Sequence, residues 1–449
     1  MASALSPQIR IGPGGERRLL TDVGRVDPGS IASYREHGGY AGLERAITKL
    51  APEMVIAEIE GAGLRGRGGS GYPTAAKWRT ARDAPGDRRI VVANVMGADP
   101  SALGDRALVE GNPHLVIEGL LIAAYAVGAS EAIVAVRRDW QVAIERLRTA
   151  VDEATGAHLA GYLVLGTDTS VQLSVWEGSG AYVAGEETAL LNALAGDRGM
   201  PAIRPPFPAT TGLHGVPTVV QNAETLAHVA WIASHSPDAF ASTGSEASRG
   251  TKLVTVMGHV AEPGLLEVPM GISIGDLIEA AGGATGTPKA AFIGGPGGGA
   301  IDAGSFTTAL DYEPLQAVGA IVGSGSVLIA DTSTCMVDAA RFFVDFSARE
   351  ACGKAVPCRI GTKRLVETLD RILAATPRPN DFQLLRDLSR KMSDTALCKL
   401  ERLAPSPILT TLDHFGDEYR AHAERGVCLA GSCRTTEVPP LVTPLAGLE

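Results

Sequence analysis

Between about residue 51 and residue 245 the apolar positions switch between two periods. In Glu53–Glu60 they fall three and four apart, which predicts a helix, whereas Arg89–Val95 is an almost unbroken apolar run of strand length. The same exchange recurs downstream. A helical period covers Leu115–Gly128, a strand pattern Glu131–Arg138, an amphipathic helix Trp140–Ala154 and a further strand Val171–Gly178. Strands that alternate with helices predict an α/β layer on a largely parallel sheet, because parallel neighbours need a crossover of helix length. Ahead of this region, residues 1–50 are polar and irregular and read as an N-terminal extension laid on the main body.

The texture changes at about residue 246. Residues 252–283 give two short strands, a Pro-Gly turn and one short helix, which suits a small β-grasp-like domain over 246–332. From 333 to 425 the period is helical throughout, as in packed helices. The segment 426–449 ends in a proline-rich run at 438–449 and reads as a loosely ordered tail.

Composition narrows the function classes. The chain has 449 residues, 45% of them apolar, so it can bury a large core in several domains. A formal net charge of −10 argues against nucleic acid as a general partner. The longest apolar stretch, Val116–Ala129, is broken by Glu118 and is too short to span a bilayer. The first ten residues carry no apolar signal core. Direct membrane insertion is therefore not expected, and a cytoplasmic location is.

Two glycine segments carry candidate chemistry. Gly61–Gly71 holds six glycines in eleven residues, among them Gly66-x-Gly68-x-x-Gly71. One reading is a plain tight turn. The other is a cradle whose backbone N–H groups approach a phosphate or an isoalloxazine edge with no Cβ in the way. Arg65, Arg67 and Lys77 would then supply positive charge, and Tyr72 a stacking surface. The second segment, Gly178–Gly199, follows a predicted strand and opens a helix at Glu186. That helix N-terminus offers N–H groups to an anion. Glu186 and Glu187 also read simply as first-turn acids that complement the helix dipole.

All six cysteines, at 335, 352, 358, 398, 428 and 433, lie in the last third of the chain. In a reducing compartment clustered thiols point to metal ligands or redox groups rather than to a disulfide framework. Ala355 stands midway between Cys352 and Cys358, where a cysteine would complete C-x2-C-x2-C.

Taken in order, the stretches GLRGRGGSGYPTAAKW, GAYVAGEETALL, RPPFPATTGLHGVPTVVQNAETLA, DTSTCMVDAARFF, CGKAVPCRIGTKR and ALCKLERLAPSPILTTLDHF resemble one family. It is the NADH-binding flavoprotein subunit of respiratory complex I, with its relatives in NAD-dependent formate dehydrogenases and hydrogenases. The resemblance covers roughly residues 50–425. It implies an FMN- and NAD-binding α/β domain over 51–245, an SLBB-type β-grasp domain over 246–332 and a helical iron–sulfur domain over 333–425. The implied chemistry is hydride transfer from NADH to the flavin N5, then single-electron transfer to a 4Fe-4S cluster. The setting it implies is a multi-subunit oxidoreductase with a thioredoxin-like 2Fe-2S subunit, cytoplasmic and peripheral to any membrane complex. By the same resemblance FMN contacts fall to Gly66, Gly68, Gly69, Gly71, Lys77, Asn94, Gly185, Glu186, Glu187 and Asn222. Tyr72 and Phe207 would flank the nicotinamide nucleotide. Arg204 stands where the family commonly has lysine, which keeps the charge but spreads it over a planar fork. Cys352, Cys358 and Cys398 match cluster ligands.

Two departures from the family pattern change the expectation. Where the family has the acidic run N-A-D-E-x-E-P-G, this chain reads Asn94–Ser101, with Met96 and Gly97 in place of two acids and Asp99 in place of a third. Each lost acceptor costs a bound nucleotide about 1–3 kcal/mol, so weakened NADH binding is expected, with FMN less affected. Ala355 removes the fourth cysteine, which leaves a three-iron cluster, a four-iron cluster with a water or borrowed ligand, or no cluster. Cys335 reads as a buried core thiol. Cys428 and Cys433 read as tail thiols or as a metal-binding pair. Two functions follow: an FMN-dependent NADH dehydrogenase subunit, or a diverged scaffold that keeps the fold without turnover.

Overall fold

The computed structural model describes residues 5–433. Strands β1 (Ile90–Val95), β2 (Glu131–Arg137), β3 (Gln172–Gly178) and β4 (Thr218–Asn222) form one parallel sheet in the order β3-β2-β1-β4. β1 is covered on both faces, which is why its sequence shows no polar alternation. The chain runs outward from β1 through β2 to β3, then crosses back to place β4 on the other side of β1. Asn94, near the carboxyl end of β1, is therefore in register with Asn222, the last residue of β4.

Two helices, Pro113–Val127 and Ala223–Ser234, pack against each other beneath this sheet. The first starts on Pro113, whose missing N–H costs nothing at that position, and stops on Gly128 in the left-handed region at φ 73°. Gly119 lies in its middle. A Cβ there would sit 1.9 Å from the Leu226 carbonyl oxygen, so the backbones meet without a side chain between them.

A second sheet holds β5 (Thr251–Gly258), β6 (Gly264–Pro269), β7 (Pro288–Ile293), β8 (Gly299–Asp302) and β9 (Ser326–Asp331) in the order β6-β5-β9-β7-β8. β5 and β9 are parallel and the other pairs antiparallel. The helix Ile274–Ala280 packs on it through Ile274, Leu277 and Ile278. The third core is helical, built by Met336–Arg349, Val356–Leu373, Asp381–Thr395, Ser406–His414 and Gly416–Arg425 around Val344, Leu365, Leu369 and Ile408.

Residues 5–50 are more ordered than their polar pattern predicts. They contain the helices Ile31–Glu36 and Ala41–Lys49, and Leu19, Leu20, Tyr40 and Leu43 are buried. The buried Glu267 carboxylate of β6 accepts the backbone N–H groups of Arg18, Leu19 and Leu20 at 2.8–3.1 Å. The extension thus covers the β6 edge. The proline-rich run at 438–449 lies outside the described residues. Among the described residues no single helix is long and apolar enough to cross a membrane.

The Gly119 contact gives a direct test. Gly119→Ala is expected to destabilise by about 3 kcal/mol, although alanine is the better helix former, because the added carbon overlaps a carbonyl. A thermal melt that rises or stays put would show that the helix pair does not pack this closely.

Candidate functional site: a crevice at the sheet's switch point and a cysteine cavity beside it

In an open parallel sheet, a crevice forms where successive crossovers leave in opposite directions. Here that point lies between β1 and β4, at Asn94 and Asn222. Asn94 donates its amide to the Gly185 carbonyl at 3.0 Å and accepts from the Met96 N–H at 3.2 Å. Asn222 caps the helix Ala223–Ser234, accepting from the Glu224 and Thr225 N–H groups, and donates to Asp105 at 2.7 Å. The glycine loop lies over this floor. A Cβ on Gly68 would come within 3.0 Å of the Asn222 Cβ.

The loop is clamped from the second domain. The Tyr312 hydroxyl donates to the Gly66 carbonyl at 2.7 Å. Gly71, at φ 63°, leaves no room for a Cβ, which would be 2.7 Å from the Tyr312 ring. Gly69 is left-handed too, at φ 114°, against the Gly323 backbone. The charge expected of Arg65 and Arg67 is consumed inside the protein. Arg67 is fully buried and donates to the carbonyls of Thr251, Arg65 and Arg249. Arg65 pairs with Glu313 at 2.7 Å. Lys77 remains at the crevice, its Nζ 3.2 Å from Glu187 and 3.1 Å from the Val220 carbonyl.

Glu186 precedes the helix Glu187–Leu194, and its own carboxylate accepts the Thr188 and Ala189 N–H groups at 2.9 Å. Glu186 thus caps that helix with its own carboxylate, as first-turn acids do. Arg204 pairs with Glu186 and, at 2.9 Å, with Glu187. Lys77, Glu187, Arg204 and Glu186 thus form one alternating chain of charge along the crevice wall. Tyr72 and Phe207 are exposed rings.

The altered acidic run has become a joint between domains. Met96 is buried. Gly97 is at φ 48°, and a Cβ there would overlap the Trp140 ring at 2.0 Å, so no acid fits in this backbone. Asp99 turns inward and accepts from Ser101 N–H and from Ser326 of β9, each at 2.9 Å. Asp105, in the first turn of Gly104–Gly111, carries no sequence signal because nothing local marks it. Burial pushes its carboxyl up to about 6, and the nearby Glu224 charge adds to this.

Cys352, Cys358 and Cys398 line one cavity with Tyr182, Glu350 and Glu401. Cys358 lies in the first turn of Val356–Leu373, and Cys398 precedes Lys399–Leu403. Burial raises the Cys358 thiol far above its ordinary value and pushes Cys398 up to about 12, and the Glu401 charge raises both. Among the described residues no basic side chain lines the cavity. A group of acidic donors, Cys358 and Cys398 buried and Cys352 half-buried, with no counter-charge in the cavity lining, fits a cationic centre held by thiolates, and so fits an iron–sulfur cluster. A short turn, Tyr182–Gly185, joins cavity to crevice. At one end the Tyr182 N–H donates to Glu350 at 2.9 Å and its ring packs on Phe346, and at the other Gly185 meets Asn94. Lys354 fixes the same junction by donating to the Pro201 carbonyl at 2.7 Å.

The remaining cysteines gather elsewhere. Cys335, Cys428 and Cys433 come together with His422, their ligand atoms all within 4.8 Å of one another. Cys335 is buried in the helical core, as expected, and Cys428 and Cys433 pack against that core beside it. His422 carries no sequence signal, being 87 residues from Cys335.

Comparison with known proteins agrees with this geometry. Residues 59–231 match the Nuo51 FMN-binding domain, 253–300 the SLBB domain, and 338–422 the NADH-ubiquinone oxidoreductase-F iron-sulfur binding region. The chain is 42% identical over 422 residues to the NADP-reducing hydrogenase subunit HndC of Solidesulfovibrio fructosivorans, covering 93% of this chain and 85% of that one. It is 39% identical to an NADH-quinone oxidoreductase subunit of Streptomyces coelicolor, over 90% of each chain. A chain in the crystal structure of the NAD+-reducing NiFe-hydrogenase in its H2-reduced state superimposes with a TM-score of 0.82 at 32% identity, covering 93% of this chain and 68% of that one.

Asp105 gives a prediction with a sign. Its folded value of about 6 lies above the ordinary value of 3.8, so the folded state holds the proton more tightly than the unfolded one. Stability is therefore highest below the lower value, falls as pH rises between the two, and is flat above about 6. Asp105→Asn keeps an acceptor for Asn222 and should remove that slope, a gain on the order of 2 kcal/mol at neutral pH. Denaturation midpoints from pH 4 to pH 7 that keep the parent slope in this variant would assign the titration to another group.

Proposed function

The chain belongs to the family of NADH-quinone oxidoreductase flavoprotein subunits that carry the Nuo51 FMN-binding domain, and on that footing we propose that it oxidises NADH through FMN and delivers electrons to an iron–sulfur cluster. The observation that carries this is the Tyr182–Gly185 turn, one end of which is in the cysteine cavity and the other in the crevice. A short covalent path between two redox sites is what electron transfer needs and what a scaffold has no use for.

FMN, when bound, accepts a pair of electrons and releases them singly. The residues that would hold it are the backbone of Gly66, Gly68, Gly69 and Gly71, with Lys77, Asn94, Gly185, Glu186, Glu187 and Asn222 on the floor and wall. Lys77, pinned by Glu187, keeps one positive charge at the crevice without collapsing into it. Tyr72 and Phe207 would flank the nicotinamide nucleotide, with Arg204 holding the wall charges in place. With Asp99 turned toward Ser326 and Gly97 closed by Trp140, the nucleotide loses acceptors, so turnover with NADH is slower than in relatives with the full acidic run. Cys352, Cys358 and Cys398 hold the cluster. The relatives are named as subunits of larger oxidoreductases, and a thioredoxin-like 2Fe-2S subunit is the partner we assign here, on the cytoplasmic side of any membrane complex.

Acid release of flavin from the purified chain tests this. About one FMN per chain is expected, with NADH–ferricyanide activity above the flavin-free background. Gly68→Val places a branched side chain against Asn222 and should cut bound flavin at least about tenfold, with little change in melting temperature. A colourless parent that fails to take up added FMN would end the enzymatic assignment.

A further inference from the structure

We propose that Glu401 is the fourth protein ligand of the iron–sulfur cluster, its carboxylate standing in for the sulfur that Ala355 lacks. This rests on the assignment of the cysteine cavity as the cluster site. Glu401 lies three residues after Cys398, on the helix that Cys398 starts, which turns both side chains to one face. The residue is 7% exposed and lines the cavity. One carboxylate oxygen accepts from the Leu397 N–H at 3.3 Å, and the other lies 3.9 Å from the Cys352 sulfur. Among the described residues no lysine, arginine or histidine forms an ion pair with it.

A buried carboxylate without a counter-charge, facing three thiols, is unfavourable unless a cation occupies the space between them. The family model that matches residues 338–422 is an iron-sulfur binding region and spans all four of these residues, so the cation assigned here is a cluster rather than a single ion. A carboxylate oxygen is a harder donor than a thiolate but a competent one for iron.

The test is anaerobic reconstitution of the full chain as parent, Glu401→Gln, Ala355→Cys and the double variant. The readouts are iron, sulfide, FMN and low-temperature electron paramagnetic resonance. About four irons are expected in the parent, about three with an oxidised three-iron signal in Glu401→Gln, and four again in the double variant. Retention of four irons and an unchanged spectrum in Glu401→Gln would overturn the proposal. So would a parent that holds three irons or none while Ala355→Cys holds four. Absence of iron from all four proteins would instead remove the cluster site itself, and the FMN content would show whether the flavin half of the assignment survives.

The second cysteine group carries an independent inference. We infer that Cys335, His422, Cys428 and Cys433 bind one tetrahedral metal ion of the zinc class. Three sulfurs and one imidazole nitrogen within 4.8 Å, with the Cys335 and Cys433 sulfurs each 3.3 Å from His422 Nε2, are too close together for a cluster. They suit a single ion, whose donors stand about 3.5–3.8 Å apart when Zn–S is about 2.3 Å and Zn–N about 2.0 Å. His422 is fully buried, with Nε2 turned into the group. Cys335 directly precedes Met336–Arg349, His422 lies in the last turn of Gly416–Arg425, and the other two follow that helix. One ion would tie the first and last helices of the bundle to the chain that leaves it.

Elemental analysis of the full chain should find about one zinc per chain that survives dialysis against a chelator. Cys433→Ser and His422→Ala should lose it while keeping FMN and the iron of the first cavity, and should lower the melting temperature. A parent grown with added zinc that contains none, or whose zinc persists in both variants, would overturn the inference, as would iron that disappears with these substitutions.

Discussion

The molecule is organised by the placement of β4 beside β1, on the side away from β2. Parallel strands carry their carboxyl ends to one edge, and crossovers that leave in opposite directions hold that edge open. Asn94 and Asn222 share a register there, so one amide side chain from each strand reaches the same crevice. What closes over it comes from both domains. The glycine loop descends onto Asn222, and Tyr312, from beyond the second sheet's helix, holds the loop by its Gly66 carbonyl. Gly71 is glycine because a ring from the other domain occupies its Cβ position. Part of the glycine richness is therefore a requirement of domain packing, and the flavin surface inherits its shape from that contact.

Local elements are legible in this sequence and non-local ones are not. β1, β2, β3 and the helices between them can be read directly, because burial on one face or two imposes a period within each segment. β4 is five residues inside a loop-rich motif, and its pairing partner lies more than a hundred residues away, so the switch point has no local signature. The order of the extension is hidden for a related reason. Leu19 and Leu20 are buried by pairing with Glu267 rather than by a helical or strand period. Arg65 and Arg67 mislead because charge at a glycine loop suggests phosphate, whereas these long side chains are consumed by Glu313 and by backbone carbonyls. Cys352 and Cys358 are marked by their spacing and Cys398 by the family resemblance, and the three share a cavity. Glu401 and His422 are not marked, since a single Glu or His on an amphipathic helix has no distinguishing neighbours.

The loss of two acids and the loss of one cysteine have different structural consequences. At Gly97 the space is gone, because Trp140 fills it and the backbone is left-handed. At Asp99 the carboxylate has been redirected to β9. That loop has been converted to structural use. The cysteine cavity has not been filled in. Cys358 and Cys398 remain buried with Cys352 half-buried beside them, a glutamate stands in the same wall, and among the described residues no basic side chain lines the cavity to neutralise the set. A site that had lost its ion would be expected to repack, since an uncompensated group of acids in a dry cavity is unfavourable at every pH where one of them ionises.

Charge conservation makes the exchange at this site intelligible. A thiolate and a carboxylate each contribute one negative charge, so a cluster held by three cysteines and Glu401 has the net charge of one held by four cysteines. The surrounding protein was not obliged to change. Glu350 accepts from Tyr182, and the turn that Tyr182 opens ends at Gly185, the partner of Asn94. What would change is the character of a single iron, which would gain a harder and more labile ligand than its three neighbours. The Tyr182–Gly185 turn between crevice and cavity lies on a separate segment of the chain, and its geometry does not depend on which atom would complete the cluster.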